Sequence, residues 1–280
     1  MTRSRPFAQV DVFSPVPYLG NPVAVVLDAA DLDAEAMARV ARWTNLSETT
    51  FVAAPTTPEA DYRLRIFTPG GELPFAGHPT LGSAHAWLDH GGTPRTPGRV
   101  VQECGAGLVE VRVTDAALSF AAPPTVRSGD LEPEYLDLVV AALGVEPGQV
   151  LSHQWVDNGP GWAVVELADA ARVLALEPDF SGFPEAMVGV FGAYPAGSGF
   201  AYEIRAFAPG SGVLEDPVCG SLNASVAQWL TRTGRVPAGF RVSQGQRLGR
   251  AGELTVTTDS DGPVWVGGAT NTLFRGTAVL

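Results

Sequence analysis

Glu48 lies in the stretch NLSETTFV, a carboxylate followed at once by the β-branched, apolar run TTFVAA. A glutamate three residues after an asparagine can close a helix capping box, but that run leaves no room for a helix. Asn45 reads instead as the residue just past the end of the preceding helix, which leaves Glu48 at a strand start. A carboxyl among apolar neighbours has a raised pKa and suits general acid–base chemistry, so Glu48 is the candidate base. A second pattern is the turn Gly77-His78-Pro79-Thr80. Proline fits the first position of a helix, and glycine permits a sharp turn before it. The helix TLGSAHAWLDH then begins without an acidic cap, so its free N–H groups and positive dipole end are open to an anion. His78 at this corner reads as a donor or near-neutral proton shuttle, or as a buried structural histidine. The third pattern, EDPVCGSLNAS, repeats the bare helix start at Gly220 and Ser221, with Asp216 five residues before Ser221. Asp-Pro favours turns, so Asp216 is either a turn former or a site carboxylate.

These patterns sit on elements that occur twice. RIFTPGGELPFAGHPTLGSAHAWL (65–88) resembles RAFAPGSGVLEDPVCGSLNASVAQWL (205–230), with Arg65, Phe67, Pro69 and Gly70 matching Arg205, Phe207, Pro209 and Gly210. Ser83, Trp87 and Leu88 match Ser225, Trp229 and Leu230, and Gln102 matches Gln244. NPVAVV (21–26) echoes NGPGWAVV (158–165). Matches that recur in the same order indicate an internal repeat: two similar halves joined near the Pro-rich segment at 121–135. In each half, runs such as YRLRIF, LVEVRV and YEIRAF read as strands. DLDAEAMARVARWT places Leu32, Ala36, Met37, Val40 and Ala41 on one helical face, and EYLDLVVAALG ends a helix at Gly144. The two repeat helices are expected to follow Pro79 and Ser221 and to stop near Gly91 and Gly234. Many strands with one central helix per half describe an α+β domain. If the halves pack about a pseudo-twofold axis, both helix starts can face one cleft and hold a carboxylate or an enolate-like oxyanion. Tyr18, Phe67 and Phe207 are expected to shape that pocket.

Composition narrows the chemistry. Net charge is −12, which argues against an electrostatic grip on nucleic acid or an anionic membrane. All 18 basic residues are arginine, so a lysine Schiff base and a Walker phosphate loop are excluded. Cys104 and Cys219 form no Cys-x-x-Cys pair, and the simplest reading is a reduced, cytoplasmic protein. The N-terminal residues lack the apolar core of a secretory segment, and no run approaches a membrane helix. The four histidines show no zinc-type cluster, with His78 and His85 two helical turns apart, so no metal is expected.

The segments DVFSPVPYLGNPVAVVLDA, NLSETTFV, RIFTPGGELPFAGHPTLGSAHA and EDPVCGSLNASVAQWL resemble, in order and spacing, the signature segments of the PhzF-like family. The resemblance runs from about Val10 to the C-terminus. It implies a diaminopimelate-epimerase-like α+β fold with two pseudo-symmetric domains, each a curled, mostly antiparallel sheet around a central helix. Residues 1–120 with the tail from about 268 to 280 would form one domain, and 121–267 the other. It further implies a cofactor-independent homodimeric isomerase that moves a proton on a small carboxylate-bearing substrate. By motif match Glu48 corresponds to the catalytic acid–base, His78 and Asp216 to further catalytic residues, and Ser221 to the family serine, while Gly77 and Gly220 would offer N–H groups to the substrate. Cys219 stands where the family often has threonine. In related epimerases this position holds one of two catalytic thiols, but its counterpart here is Ala76, so a two-thiol mechanism cannot operate. Cys219 is then a small filler, or a second acid–base opposed to Glu48 in an epimerase. A non-catalytic ligand-binding protein is the remaining alternative.

Overall fold

A computed structural model describes residues 3–114, 117–259 and 262–280. The chain divides into two compact units, Met1–Ala121 with Gly267–Leu280, and Ala122–Val266. The first contains β1 (Ser4–Val12), β2 (Asn21–Val26), α1 (Ala34–Thr44), β3 (Glu48–Ala53), β4 (Tyr62–Thr68), β5 (Gly71–Leu73), α2 (Gly77–Asp89), β6 (Arg99–Cys104), β7 (Gly107–Val113) and β8 (Leu118–Ala121). The second contains β9 (Arg127–Gly129), α3 (Pro133–Leu143), β10 (Ser152–Asp157), β11 (Ala163–Leu167), α4 (Ala170–Ala175), β12 (Val188–Ala193), β13 (Tyr202–Ala208), β14 (Val213–Asp216), α5 (Gly220–Arg232), β15 (Gly239–Gln244) and β16 (Gly252–Thr258). Strand β17 (Val264–Gly268) leads the chain back to the first unit, where β18 (Thr270–Val279) completes it.

Strand pairing makes the repeat explicit. In the first unit the order is β18-β1-β2-β3-β4-β6-β7-β8, antiparallel except for the parallel pairs β2–β3 and β4–β6. In the second it is β9-β10-β11-β12-β13-β15-β16, with β11–β12 and β13–β15 parallel. A parallel pair needs a crossover, and helices supply it at equivalent places. α1 and α4 join the first parallel pair of each unit, and α2 and α5 join the second. Strands β5 and β14 fold back antiparallel on β4 and β13.

The two crossovers lie on opposite faces of the sheet. α1 packs outside, where Met37 and Ala41 meet Val26, Phe51 and Phe67, with Leu32 and Val40 against the same cluster. α2 is enclosed, touching β1, β2, β3, β4, β6, β8 and β18, with nine of its thirteen residues buried. This explains why it carries small and apolar residues rather than an amphipathic stripe. Gly82 permits the approach, since a Cβ there would lie 2.3 Å from Val23 Cγ1. In the second unit the glycine is on the strand instead, with Gly189 of β12 facing Leu222 of α5.

The helix ends follow the sequence with two adjustments. Asn45 adopts a left-handed conformation just past α1, and Gly144 does the same past α3. α2, however, begins at Gly77, so Pro79 is its third residue rather than its first. Proline is tolerated there because the early N–H groups of a helix have no intrahelical partner; the first such bond runs from Thr80 N to Ala76 O at 3.2 Å. α5 likewise begins at Gly220. Neither Gly77 nor Gly220 has positive φ, so neither makes the sharp turn that glycine is expected to permit. Phe67 and Phe207 are core residues, 2 % and 1 % exposed; Phe207 also lines a surface pocket beside Arg205 and Glu215 of its own unit. Their repeated neighbours Arg65 and Arg205 close the β4–β5 and β13–β14 hairpins by paired bonds to Glu72 and Glu215.

Candidate active site

In the first unit, side chains on a strand alternate between faces, and Thr50 on β3 reaches Ser83 of α2 with hydroxyl oxygens 2.8 Å apart. Glu48, two residues earlier, therefore points to the same helix-facing side, at its N-terminal end. His78, the second residue of α2, meets it there, with Nε2 3.3 Å from Glu48 Oε2. The pair is well enclosed, the side chains being 12 % and 3 % exposed for Glu48 and His78. Burial pushes the His78 pKa down to about 3, and a contact with the Pro22 backbone opposes this only in part. The imidazole is consequently neutral near pH 7, which corrects the near-neutral proton shuttle expected at this corner. It is a fixed hydrogen-bonding group. Its second nitrogen, Nδ1, lies 3.2 Å from the side-chain amide nitrogen of Asn21. No side chain caps α2, and its first turn holds no acidic residue, so no residue of the helix itself offsets the dipole at its Gly77 end.

In the second unit, Asp216 ends β14 and accepts the Val218 N–H through Oδ1 at 3.1 Å, the local turn expected of Asp-Pro. Its carbonyl accepts Gln244 Nε2 at 2.9 Å. Gln244 Oε1 in turn accepts the Cys219 N–H at 3.1 Å and Asn223 Nδ2 at 2.8 Å. One glutamine thus ties the end of β14 to the start of α5. Cys219 holds the residue position just before α5, as Ala76 does before α2, and is 4 % exposed. Its Sγ lies 3.4 Å from Ser221 Oγ. Ser221 Oγ also accepts Trp162 Nε1 at 2.9 Å, which leaves the hydroxyl hydrogen to donate elsewhere. α5 has no side-chain cap and no acidic first turn, repeating the character of α2.

The described structure therefore gathers the candidates into two groups. Glu48, His78 and Gly77 lie together in the first unit, and Asp216, Cys219, Gly220 and Ser221 in the second. Sequence reading missed Asn21, Asn158, Trp162 and the supporting role of Gln244. Asn158 donates from Nδ2 to the Ser221 carbonyl at 3.2 Å, so asparagines from the echoed segments NPVAVV and NGPGWAVV both reach the first turn of a central helix. That echo was the signal. Gln102 acts as the counterpart of Gln244, donating to Thr80 Oγ1 on α2 at 3.0 Å and accepting Tyr62 Oη–H at 3.0 Å. Among the described residues no group of three or more His, Cys, Asp or Glu side chains could hold a metal ion. Both cysteines are free thiols, and no helix among the described residues is long and apolar enough to cross a membrane.

Comparison with known proteins places this geometry in a family. The family model described as phenazine biosynthesis-like protein matches residues 10–280. Antisense-enhancing sequence 1 of Schizosaccharomyces pombe is 39 % identical, over 98 % of both chains. Trans-2,3-dihydro-3-hydroxyanthranilate isomerase of Pseudomonas aeruginosa is 36 % identical, over 91 % of both. The crystal structure of a phenazine biosynthesis PhzF-family protein from Enterococcus faecalis superposes with a TM-score of 0.81 at 27 % identity, covering 99 % of this chain and 100 % of the other. With its two-unit α+β construction and paired bare helix starts, the chain belongs to the PhzF-like, phenazine biosynthesis-like family.

Proposed function

We propose that the protein is a cofactor-independent isomerase that moves a proton between carbon atoms of a small, cyclic carboxylate, with Glu48 as general acid–base. The observation that carries this reading is the enclosed Glu48–His78 pair, Oε2 to Nε2 3.3 Å, at the bare start of α2. In the forward step the ionised Glu48 takes a proton from a substrate carbon, and the electron pair left behind spreads into the conjugated carboxylate. Glu48 then returns the proton to a second carbon, so no electrons or atoms enter from outside. The neutral His78 donates a hydrogen bond to the reacting groups. The N–H groups of Gly77 and Gly220 and the Ser221 hydroxyl receive the carboxylate and the developing negative charge, and Asp216 orients the substrate's polar substituents. Cys219 is a small buried filler standing in for threonine in this reading; its counterpart Ala76 rules out only the two-thiol mechanism.

The relatives named trans-2,3-dihydro-3-hydroxyanthranilate isomerase supply the probe. The protein should turn this compound over, and Glu48→Gln should lower the rate by about 10³-fold with an unchanged circular dichroism spectrum. Turnover by Glu48→Gln at the wild-type rate would remove Glu48 as the base. Activity should also survive exhaustive dialysis against a chelator, and loss restored by an added metal would end the cofactor-free reading. The same proposal includes a cytoplasmic homodimer. Light scattering should then give twice the 29.3 kDa chain mass.

A further inference from the structure

The loop Asn158-Gly159-Pro160-Gly161-Trp162 joins β10 to β11 in the second unit and closes on the first turn of α5. Asp157 folds it, accepting the Gly159 and Gly161 N–H groups through one carboxylate oxygen at 2.7 Å each. Both glycines have positive φ, 136° and 89°, a conformation that costs glycine little and other residues much. So shaped, the loop grips one residue twice. Asn158 Nδ2 donates to the Ser221 carbonyl at 3.2 Å, and Trp162 Nε1 donates to the Ser221 hydroxyl oxygen at 2.9 Å. An indole nitrogen has a hydrogen to give and cannot accept, so Ser221 Oγ is the acceptor of the second bond. We infer that Trp162 is a positioning residue for substrate binding: by donating to Ser221 Oγ it holds the serine side chain in one rotamer, with the hydroxyl hydrogen left to a substrate carboxylate.

A serine hydroxyl carries one hydrogen and two lone pairs, and its orientation is set by its partners. With nothing to hold it, the oxygen would equally accept from a substrate hydroxyl or amine. The Trp162 bond takes one lone pair and fixes where the oxygen sits, which biases Ser221 towards donation. The hydroxyl's other neighbour among the described residues, Cys219 Sγ at 3.4 Å, is a weak acceptor. It yields to a carboxylate, whose hydrogen bonds are charge-assisted and stronger. The fold itself does not demand the indole. In the echoed segments NPVAVV and NGPGWAVV the shared Ala-Val-Val sets Trp162 against Val23. Both are buried, at 2 % and 0 % exposure, so the first unit fills the equivalent position with a side chain that has no donor. Trp162 touches no reacting atom in this scheme; it acts through Ser221.

The inference rests on Ser221 receiving the substrate carboxylate, and a double-mutant cycle on KM separates the two claims. With trans-2,3-dihydro-3-hydroxyanthranilate as substrate, Trp162→Phe should raise KM about 5- to 10-fold, the worth of one hydrogen bond, with a smaller fall in kcat. Ser221→Ala should raise KM by at least as much. In the Ser221→Ala background Trp162→Phe should add nothing, because the hydroxyl through which the indole acts is gone. A tryptophan that only supports the fold would raise KM by the same factor in both backgrounds. That additive result, or Trp162→Phe at the wild-type KM, would overturn the inference while leaving Ser221 as a substrate ligand. Ser221→Ala at the wild-type KM would remove Ser221 from the site, and the inference with it. A second readout needs no tryptophan variant to fold. Of the six tryptophans, one should show its indole N–H signal in the ¹H–¹⁵N spectrum moved upfield in Ser221→Ala and exchanging faster with solvent, its acceptor having been lost. Six unmoved indole signals would overturn the inference directly.

Discussion

His78 shows how one residue's chemistry depends on its surroundings. Free histidine titrates near 6.5, but burial in α2 brings this one down to about 3. The unfolded chain therefore binds a proton below pH 6.5 that the native state refuses. Stability is fully present above that pH and falls as pH drops toward 3, by about 1.4 kcal/mol per unit for a single site. His85, also lowered by burial, acts in the same direction, so the comparison must be with a variant. Urea unfolding at pH 7 and pH 5 should show a smaller loss of stability in His78→Gln than in wild type, and an equal loss would show that His78 does not carry the effect. The pH–rate profile should correspondingly lack a limb near 6.5 from this ring. The positions of Glu48 and His78 were legible in the sequence, because a β-branched run and a Gly-His-Pro turn constrain the backbone locally. The neutrality of His78 and its contact with Asn21 were not legible, since they arise from neighbours 57 residues apart in the chain. Trp162 and Ser221 are 59 apart, for the same reason.

At the scale of elements, each central helix is held in place by close packing within its own unit. α2 lies against β2 at Gly82, where an added Cβ would meet Val23 Cγ1 at 2.3 Å and Val12 Cγ2 at 3.1 Å. Both neighbours are stiff, β-branched and buried, so the helix rather than the valines must shift. Gly82→Ala should cost about 1–3 kcal/mol in unfolding free energy and reduce turnover by displacing the start of α2, whereas an unchanged melting curve would refute the close packing. Gln244 is the matching test in the second unit. Gln244→Ala strips acceptors from the buried Cys219 N–H and Asn223 amide, a loss of about 1–3 kcal/mol per stranded group. It should also raise KM more than it lowers kcat, because it frees the Asp216 end of β14. Strand and helix types followed from periodicity and from the repeat. The exact helix starts did not, because Gly, Pro and Ser are all acceptable in a first turn and only the hydrogen-bond pattern separates them. The repeated Arg65 and Arg205 carried a signal of another kind, hairpin closure, which sequence matching alone does not distinguish from a binding site.

For the whole molecule, the repeat explains more than composition does. Each unit builds the same strand order and the same two crossovers, and β18 supplies the first unit's outer strand from the far end of the chain. Removing residues 270–280 strips β1 of one of its two partners, along its whole length from Ser4 to Val12. The truncated chain should melt at markedly lower temperature or fail to accumulate as soluble protein, and wild-type melting would contradict the pairing. The absence of lysine excluded Schiff-base and phosphate-loop mechanisms and the strong acidity argued against nucleic-acid binding, yet neither could point to a proton-transfer site. That reading depends on Glu48 and is most directly tested by following solvent deuterium. In D₂O, mass spectrometry of recovered trans-2,3-dihydro-3-hydroxyanthranilate and its product should show deuterium entering at carbon with wild-type protein. With folded Glu48→Gln there should be none above the uncatalysed background. Equal incorporation by the two proteins would contradict the assignment of Glu48 as the group that carries the proton.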